Sequence, residues 1–598
     1  MEASVDKRWR LRMGAVPDGD GCAFRVWAPN AKAVYVVGAF NDFSPDGRPL
    51  ERDDDGVWSA RVEGAKPGDP YRYRIVTDAE EFLRLDPYSV AASNSAGQSI
   101  IPDLAFDWGA AAFEPPTLNE LVVYEMHLGT FAKAPGAEVG AIDDAIAKLG
   151  YLCELGVNAV EIMPIMEFPG SHSWGYNPSL IYAIESDYGS ARDMRRFIRS
   201  AHERGIAVLL DVVYNHLGPG DLDLWRFDGW YENDKGGIYF YNDDRCCTPW
   251  GDTRPDYGRE EVRAYLRDNA LHWLLDYGFD GLRWDATAYV RSVHGSDGDD
   301  ALPEGWSLMQ EINDEARRQK PRAIAIAEDL QSNPALVRPA SDGGAGFDAQ
   351  WDARFVHPVR AALIGADDAG RDMDAVRDAI LHRFDDDAFR RVIYTESHDE
   401  VANGKARVPE EVDPGRASSW AAKKKSALGA ALVFTAPGVP MIFQGQEFLE
   451  DDWFHDDDPL DWSKKDRFAG IWRLYRDLIA LRRNRAGRTA GLCGQGVDVY
   501  HVDHAGKVIA YNRWADGGPG DSVVVVANFA NQRYDDYAIT FPAPGVWHAR
   551  FNGDSKDYDA SFGDDGPASC QAFQDDDGAI RARLTLPPCT ALVLSQDG

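Results

Sequence analysis

Carboxyl, guanidinium and imidazole side chains recur in this sequence directly after short apolar runs, a placement that suits carboxylate chemistry. Gly281-Leu282-Arg283-Trp284-Asp285 reads as a short strand ending in a charged pair. Side chains two apart on a strand share a face, so Arg283 and Asp285 point the same way. A guanidinium beside a carboxylate favours the ionised acid, which is the form a nucleophile needs. A structural Arg–Asp ion pair has the same signature, so this stretch alone decides nothing. Three more stretches repeat it. The run 323–327 ends in Glu328-Asp329, with Ile324, Ile326 and Glu328 on one face. Val392-Ile393-Tyr394 leads into Glu396-Ser397-His398-Asp399, and the run 207–210 leads into Asp211, Asn215 and His216. In a barrel of parallel strands the C-terminal ends converge on one mouth, where catalysis sits.

The elements that must position these groups follow from periodicity. Residues 121–125 read as a strand, and 145–155 as a helix with Ile146, Leu149 and Cys153 sharing a face. Residues 157–163 return to strand. Ser190 can cap the next helix, Met194, Phe197, Ile198 and Ala201 form its apolar stripe, and Gly205 ends it. A further helix is expected over 259–277. Strand and helix alternating in this way imply a parallel sheet with right-handed crossovers. The length of the alternating region, with reactive residues at several strand ends and no phosphate loop, favours a closed (β/α)8 barrel over a doubly wound sheet. The irregular stretch at about 217–258, rich in Gly, Asp and aromatics, is expected to form a lobe over the mouth.

Both flanks read as β structure. Residues 22–27, 33–37 and 57–62 are strand-like, with a hairpin turn at Asp54-Asp55-Gly56, and predict an N-terminal β-sandwich. Residues 497–502, 507–512 and 522–528 predict a C-terminal β-sandwich. The expected division is 1–115, 116–486 and 487–598.

A chain of 598 residues with 44% hydrophobic content can bury several cores. The net charge of −35, from 98 acidic and 63 basic residues, argues against nucleic acid and anionic membranes as partners and suits a neutral substrate. The 18 Trp and 24 Tyr are compatible with stacking on sugar rings, although packing alone accounts for most aromatics. Residues 1–21 lack an apolar signal segment and no stretch is long enough to span a bilayer, so a cytoplasmic location is expected. The seven cysteines show no paired zinc spacing and are expected as thiols, Cys246-Cys247 included. A monomer is the expected state.

The four stretches 211–216, 281–285, 327–329 and 397–399 resemble, in order, the signature regions of the alpha-amylase family of retaining glycoside hydrolases and transglycosylases. Residues 24–30 with 38–41 resemble the immunoglobulin-like carbohydrate-binding module that precedes the barrel in glycogen-active enzymes. The resemblance implies Asp285 as nucleophile, Glu328 as general acid/base and Asp399 as a third acid that holds sugar hydroxyls. It places Arg283, His216, His398 and Asp211 around the reacting sugar, and Tyr176 of Trp174-Gly175-Tyr176-Asn177-Pro178 as a stacking tyrosine. Asn215 aligns with a calcium ligand of some relatives. One Asn is far short of the six to eight oxygens that calcium takes, so no metal and no cofactor is expected.

Retaining glycoside chemistry asks for these residue types independently. One carboxylate attacks the anomeric carbon while a carboxylic acid about 5–5.5 Å away protonates the leaving oxygen. That acid must stay protonated near neutral pH, which Asp285 and Asp399 can enforce on Glu328. Residues 397–401, 404–405, 443–448 and 461–462 resemble glycogen branching enzymes, whereas 124–131, 248–251 and 346–351 look more like malto-oligosyltrehalose trehalohydrolases. Trp284 departs from the family, where a smaller aliphatic residue is usual, and is expected to fill space behind Asp285. Three functions stand: transfer of an α-1,4-glucan chain to a 6-hydroxyl, hydrolysis of malto-oligosaccharides or their trehalose-ended derivatives, and glucan binding without catalysis. The branching transferase is favoured because its resemblance includes the segment around Asp399.

Overall fold

A computed structural model describes residues 13–103, 105–109, 113–298 and 300–598. Eight parallel strands close into a barrel: β1 (Val123–Met126), β2 (Ala159–Ile162), β3 (Ala207–Val212), β4 (Gly281–Trp284), β5 (Ile324–Ala327), β6 (Ala349–Trp351), β7 (Arg391–Ile393) and β8 (Val439–Phe443). Val123 pairs with Met441 to join β8 back to β1. Parallel neighbours need long crossovers. The crossovers here carry helices, among them α1 (Ile142–Leu155), α2 (Ala191–His202), α3 (Glu260–Leu271) and α4 (Pro303–Gln319).

The strands sort their side chains with a period of two. Val123, Ala159, Leu209, Ile326, Ala349, Val392 and Met441 form a core inside the barrel. Their neighbours Tyr124, Val160, Leu210, Ala327, Ile393 and Ile442 belong to the larger core between barrel and helices. Extending the inward row by two residues toward the C-terminal ends gives Glu125, Glu161, Asp211 and Glu328 from four strands, Arg283 from β4, and the aromatic residues Trp351, Tyr394 and Phe443 from β6, β7 and β8, so acids, one guanidinium and aromatic rings make up the topmost inward layer. A Cβ on Gly281 would lie 2.3 Å from the Ile324 carbonyl oxygen, so only glycine fits that inward slot of β4. Trp284, on the alternate face of β4 in the core between barrel and helices, is buried edge-on against Tyr214 and Phe347, a packing role.

Helix α2 follows its sequence signals closely. The Ser190 hydroxyl accepts the Asp193 N–H, and Met194, Phe197, Ile198 and Ala201 are buried. Helix α1 departs from the expected phase: Ile142, Ala145, Leu149, Leu152 and Leu155 are buried, while Cys153 is exposed. Both stripes pass through Leu149 with helical spacing. The one that prevails adds Ile142, Leu152 and Leu155, and so removes more apolar area from water. The helix expected over 259–277 is α3 followed by a π-helical turn, His272–Asp276.

Two small antiparallel sheets precede the barrel and enclose Phe24, Val36, Tyr71, Tyr73 and Ile75. Eight antiparallel strands from Gly496–Asp503 to Thr590–Ser595 follow it, folded around Val524, Trp547, Leu584 and Leu592. Both flanks are anchored to the central part of the chain. The Leu85 N–H donates to Asp223 at 2.7 Å, and Lys424 makes a buried 2.7 Å ion pair with Asp554. All seven cysteines are free thiols, with Cys246 Sγ 3.7 Å from Cys247 Sγ. Among the described residues, no helix is long and apolar enough to cross a membrane.

Candidate active site

Arg283 is fully buried at the end of β4 and ties three acids together. Its Nη1 donates to Asp211 Oδ2 at 2.7 Å and to Asp285 Oδ1 at 3.0 Å, and its Nη2 lies 4.0 Å from Glu328 Oε2. The guanidinium also stacks over the Trp351 ring at 4.3 Å, which fixes its plane.

Asp285 and Glu328 occupy unlike surroundings. Asp285 accepts from Arg283 through Oδ1 and from the Asn215 amide, at 2.8 Å, through Oδ2. The same amide also reaches the Asp285 backbone oxygen at 3.0 Å, so its donors are committed to this residue. Asn215 Oδ1 meets His216 Nδ1, which leaves this side chain serving Asp285 and His216. Glu328 has one direct donor, the Ala286 N–H, 2.7 Å from its Oε2. Ala286 directs that N–H from a left-handed backbone, φ 42° and ψ 51°, a conformation that costs a non-glycine residue about 1–2 kcal/mol.

Tyr176 lies in the loop of a hairpin formed by Met166–Glu167 and Leu180–Ile184. Gly175, at φ +91°, lets the loop pass the Pro164 carbonyl, which a Cβ would meet at 2.1 Å. The Tyr176 hydroxyl donates to Asp211 at 2.6 Å, and its backbone oxygen lies 2.8 Å from His216 Nε2. The ring stacks on His398, with centroids 5.1 Å apart and planes 24° apart. His398 Nε2 is 3.5 Å from Asp399 Oδ2, and the Asp399 side chain is 46% exposed, open to a ligand. All eight residues singled out from the sequence thus join one contact network: Tyr176, Asp211, His216, Arg283, Asp285, Glu328, His398 and Asp399. Trp250, half-exposed, lies flat against His216 at 4.7 Å and edge-on to Tyr289 at 5.1 Å, adding an aromatic wall from the 217–258 segment.

Burial and charge crowding set the protonation states. Burial pushes the Glu328 carboxyl up to about 8; Arg283 opposes this, and Asp285 and Asp399 reinforce it. Burial likewise raises Asp211 to about 7 and Glu161 to about 8, against the pull of Arg283. Burial lowers His216 and keeps the Tyr176 phenol far above its ordinary value. A dry pocket with one guanidinium among several acids therefore holds part of its carboxyl set protonated at neutral pH.

Sequence reasoning passed over Glu125, Glu161, Ala286 and Trp351. The two glutamates lie in the inward row of β1 and β2, buried beneath the site. Their signal was the spacing of two from Val123 and Ala159. Ala286 carries no signal, because its role depends on a backbone conformation unusual for alanine.

A closed parallel barrel with a buried Arg–Asp–Glu cluster at its mouth defines the class. Residues 126–228 and 223–477 match the profile described as alpha amylase, catalytic domain. Residues 12–89 match carbohydrate-binding module 48 (isoamylase N-terminal domain), and 500–597 match the alpha amylase C-terminal all-beta domain. The chain belongs to the alpha-amylase family of enzymes. It is 32% identical to a 1,4-alpha-glucan branching enzyme of Burkholderia thailandensis, over 98% of this chain and 73% of that protein. It is also 32% identical to a 1,4-alpha-glucan branching enzyme of Salinibacter ruber, over 98% of this chain and 96% of that protein. A pullulanase structure from Anoxybacillus sp. LM18-11, complexed with maltotetraose, shares the fold with a TM-score of 0.75 at 20% identity, over 98% of this chain and 87% of that one.

Proposed function

We propose that this chain is a 1,4-α-glucan branching enzyme that works through a covalent glycosyl-Asp285 intermediate. The observation that carries the chemistry is the pairing of Asp285 and Glu328 on adjacent arms of one buried guanidinium, in environments that separate their roles. The Asp285 carboxylate attacks the anomeric carbon of an α-1,4 bond as the Glu328 carboxyl gives its proton to the departing 4-oxygen. The cut chain remains as a β-linked ester on Asp285. Glu328, now a carboxylate, takes the proton of an acceptor 6-hydroxyl whose oxygen displaces Asp285 and forms the α-1,6 branch. Two inversions give net retention. Asp399 and His398 hold hydroxyls of the reacting sugar, Tyr176 stacks on its face, and Trp250 offers an aromatic surface for a neighbouring unit.

Full-length similarity to branching enzymes favours transfer over hydrolysis. The rival outcome shares the intermediate and differs only in water taking the place of the acceptor hydroxyl. A groove on the N-terminal module, lined by Phe43, Arg72, Arg74, Phe82 and Leu83, supports glucan as the partner, since the Phe43 ring and the Leu83 side chain are exposed there while Phe24, Trp27, Trp58, Tyr71 and Tyr73 are packed. Incubation with amylose is the test. Iodine staining should fall and α-1,6 anomeric signals appear in the NMR spectrum, with little gain in reducing ends. Reducing ends without new branches would assign a hydrolase, and no product from any α-glucan would assign a binding protein.

A further inference from the structure

We infer that Glu125 is a positioning residue for the reacting sugar: it grips His398 by backbone and ring, and so aims the free ring nitrogen toward Asp399 and the mouth. The inference rests on the proposed role of His398 and Asp399 at the sugar. Glu125 is the last inward residue of β1, 1% exposed, and is separated from His398 by 273 positions in sequence. Its Oε2 accepts the His398 backbone N–H at 3.1 Å, and its Oε1 accepts the Nδ1 proton at 2.5 Å. Two bonds from one carboxylate to one residue remove the freedom of the ring to turn. The ring is also held by Tyr176 on one face and by Trp174 and Trp351, each with centroids 6.0 Å away.

The charged and titratable groups around this imidazole are Glu125 on β1, Glu161 on β2, Arg283 on β4, His127 after β1, Tyr176 and Asp399. Burial alone lowers a histidine, yet Asp399 and Glu125 outweigh it and lift His398 to about 9. His127 supplies the contrast. It is equally buried, its ring meets the uncharged groups Thr130, Ser173 and Tyr188, and burial lowers it to about 4. The carboxylates therefore favour a ring protonated at both nitrogens below about pH 9, with Nε2–H available to a sugar hydroxyl.

Glu125→Gln keeps the shape and removes the charge. The His398 imidazole is followed by NMR in protein labelled at histidine, its signal assigned by its loss in His398→Asn. In the unaltered protein it should titrate near pH 9. In Glu125→Gln the midpoint should fall by at least about one unit, and kcat should fall about 10–100-fold with KM nearly unchanged, the effect of losing one charged hydrogen-bond partner. An unchanged midpoint, or a His398 that titrates at or below about 6.5 in the unaltered protein, would overturn the inference, as would unaltered kcat. If Glu125→Gln does not fold, Glu125→Asp retains the charge and shortens the reach: a lower kcat with the midpoint still raised supports the role, and full kcat refutes it. The change in midpoint between the two proteins reads the Glu125–His398 contact, since Asp399 is present in both, so it stands or falls separately from the branching activity.

Discussion

Asp285 and Glu328 are both carboxyl groups, and what separates their proposed roles is the donors each one meets. Asp285 is bound by Arg283 and twice by Asn215, whereas Glu328 has one backbone N–H and a guanidinium at 4.0 Å. Burial lifts Glu328 to about 8, so turnover should be lost as pH rises through about 8, where the acid no longer holds its proton. A kcat profile tests this. Activity that persists undiminished well above that pH would remove Glu328 from the acid role, and Glu328→Gln should lower kcat by about 10²–10⁴-fold. Stability moves the same way. Glu161 and Glu328 have raised values in the folded chain, so their contribution is fully present below the ordinary carboxyl value of about 4.5 and is lost as pH rises through about 8. Much of this was legible in sequence, because strand period two places Arg283 with Asp285 and Glu328 with Ile326. Glu125 and Glu161 obey the same period, yet they stand inside strands where no following cluster draws notice.

At the scale of elements, helix α2 shows what local signals can deliver and α1 shows where they stop. The cap, stripe and terminal glycine of α2 agree with one another, so its buried face is fixed before any tertiary contact forms. In α1 two stripes share Leu149, and only packing against the barrel selects the one that leaves Cys153 outside. Leu149→Ala should therefore destabilise the chain by about 2–5 kcal/mol, and Cys153→Ala should stay within about 0.5 kcal/mol of the parent. Urea midpoints check the pair, and equal losses would contradict the burial assigned to this helix. The hairpin that carries Tyr176 had no clear periodic signal, since its first strand is only Met166–Glu167.

Across the whole molecule, the barrel converts distance along the chain into proximity. Glu125, Asp211, Arg283, Glu328 and His398 stand at or just beyond the ends of five different strands and meet in one buried layer, where Tyr176 joins the Glu125–His398 pair to the Asp211–Arg283–Glu328 cluster. Alternation of strand and helix made the closed barrel legible. Which acids face one another was not, because strand order and inward register are properties of the closed sheet. The central claim is that one sugar is bonded to Asp285 part-way through the reaction, with the groups of the other strands around it. Trapping with a 5-fluoro-α-glucosyl fluoride, followed by digestion and tandem mass spectrometry, tests it most directly. A glycosyl mass on Asp285 alone is the predicted result. A label on a different carboxylate, or a product of inverted anomeric configuration, would contradict it.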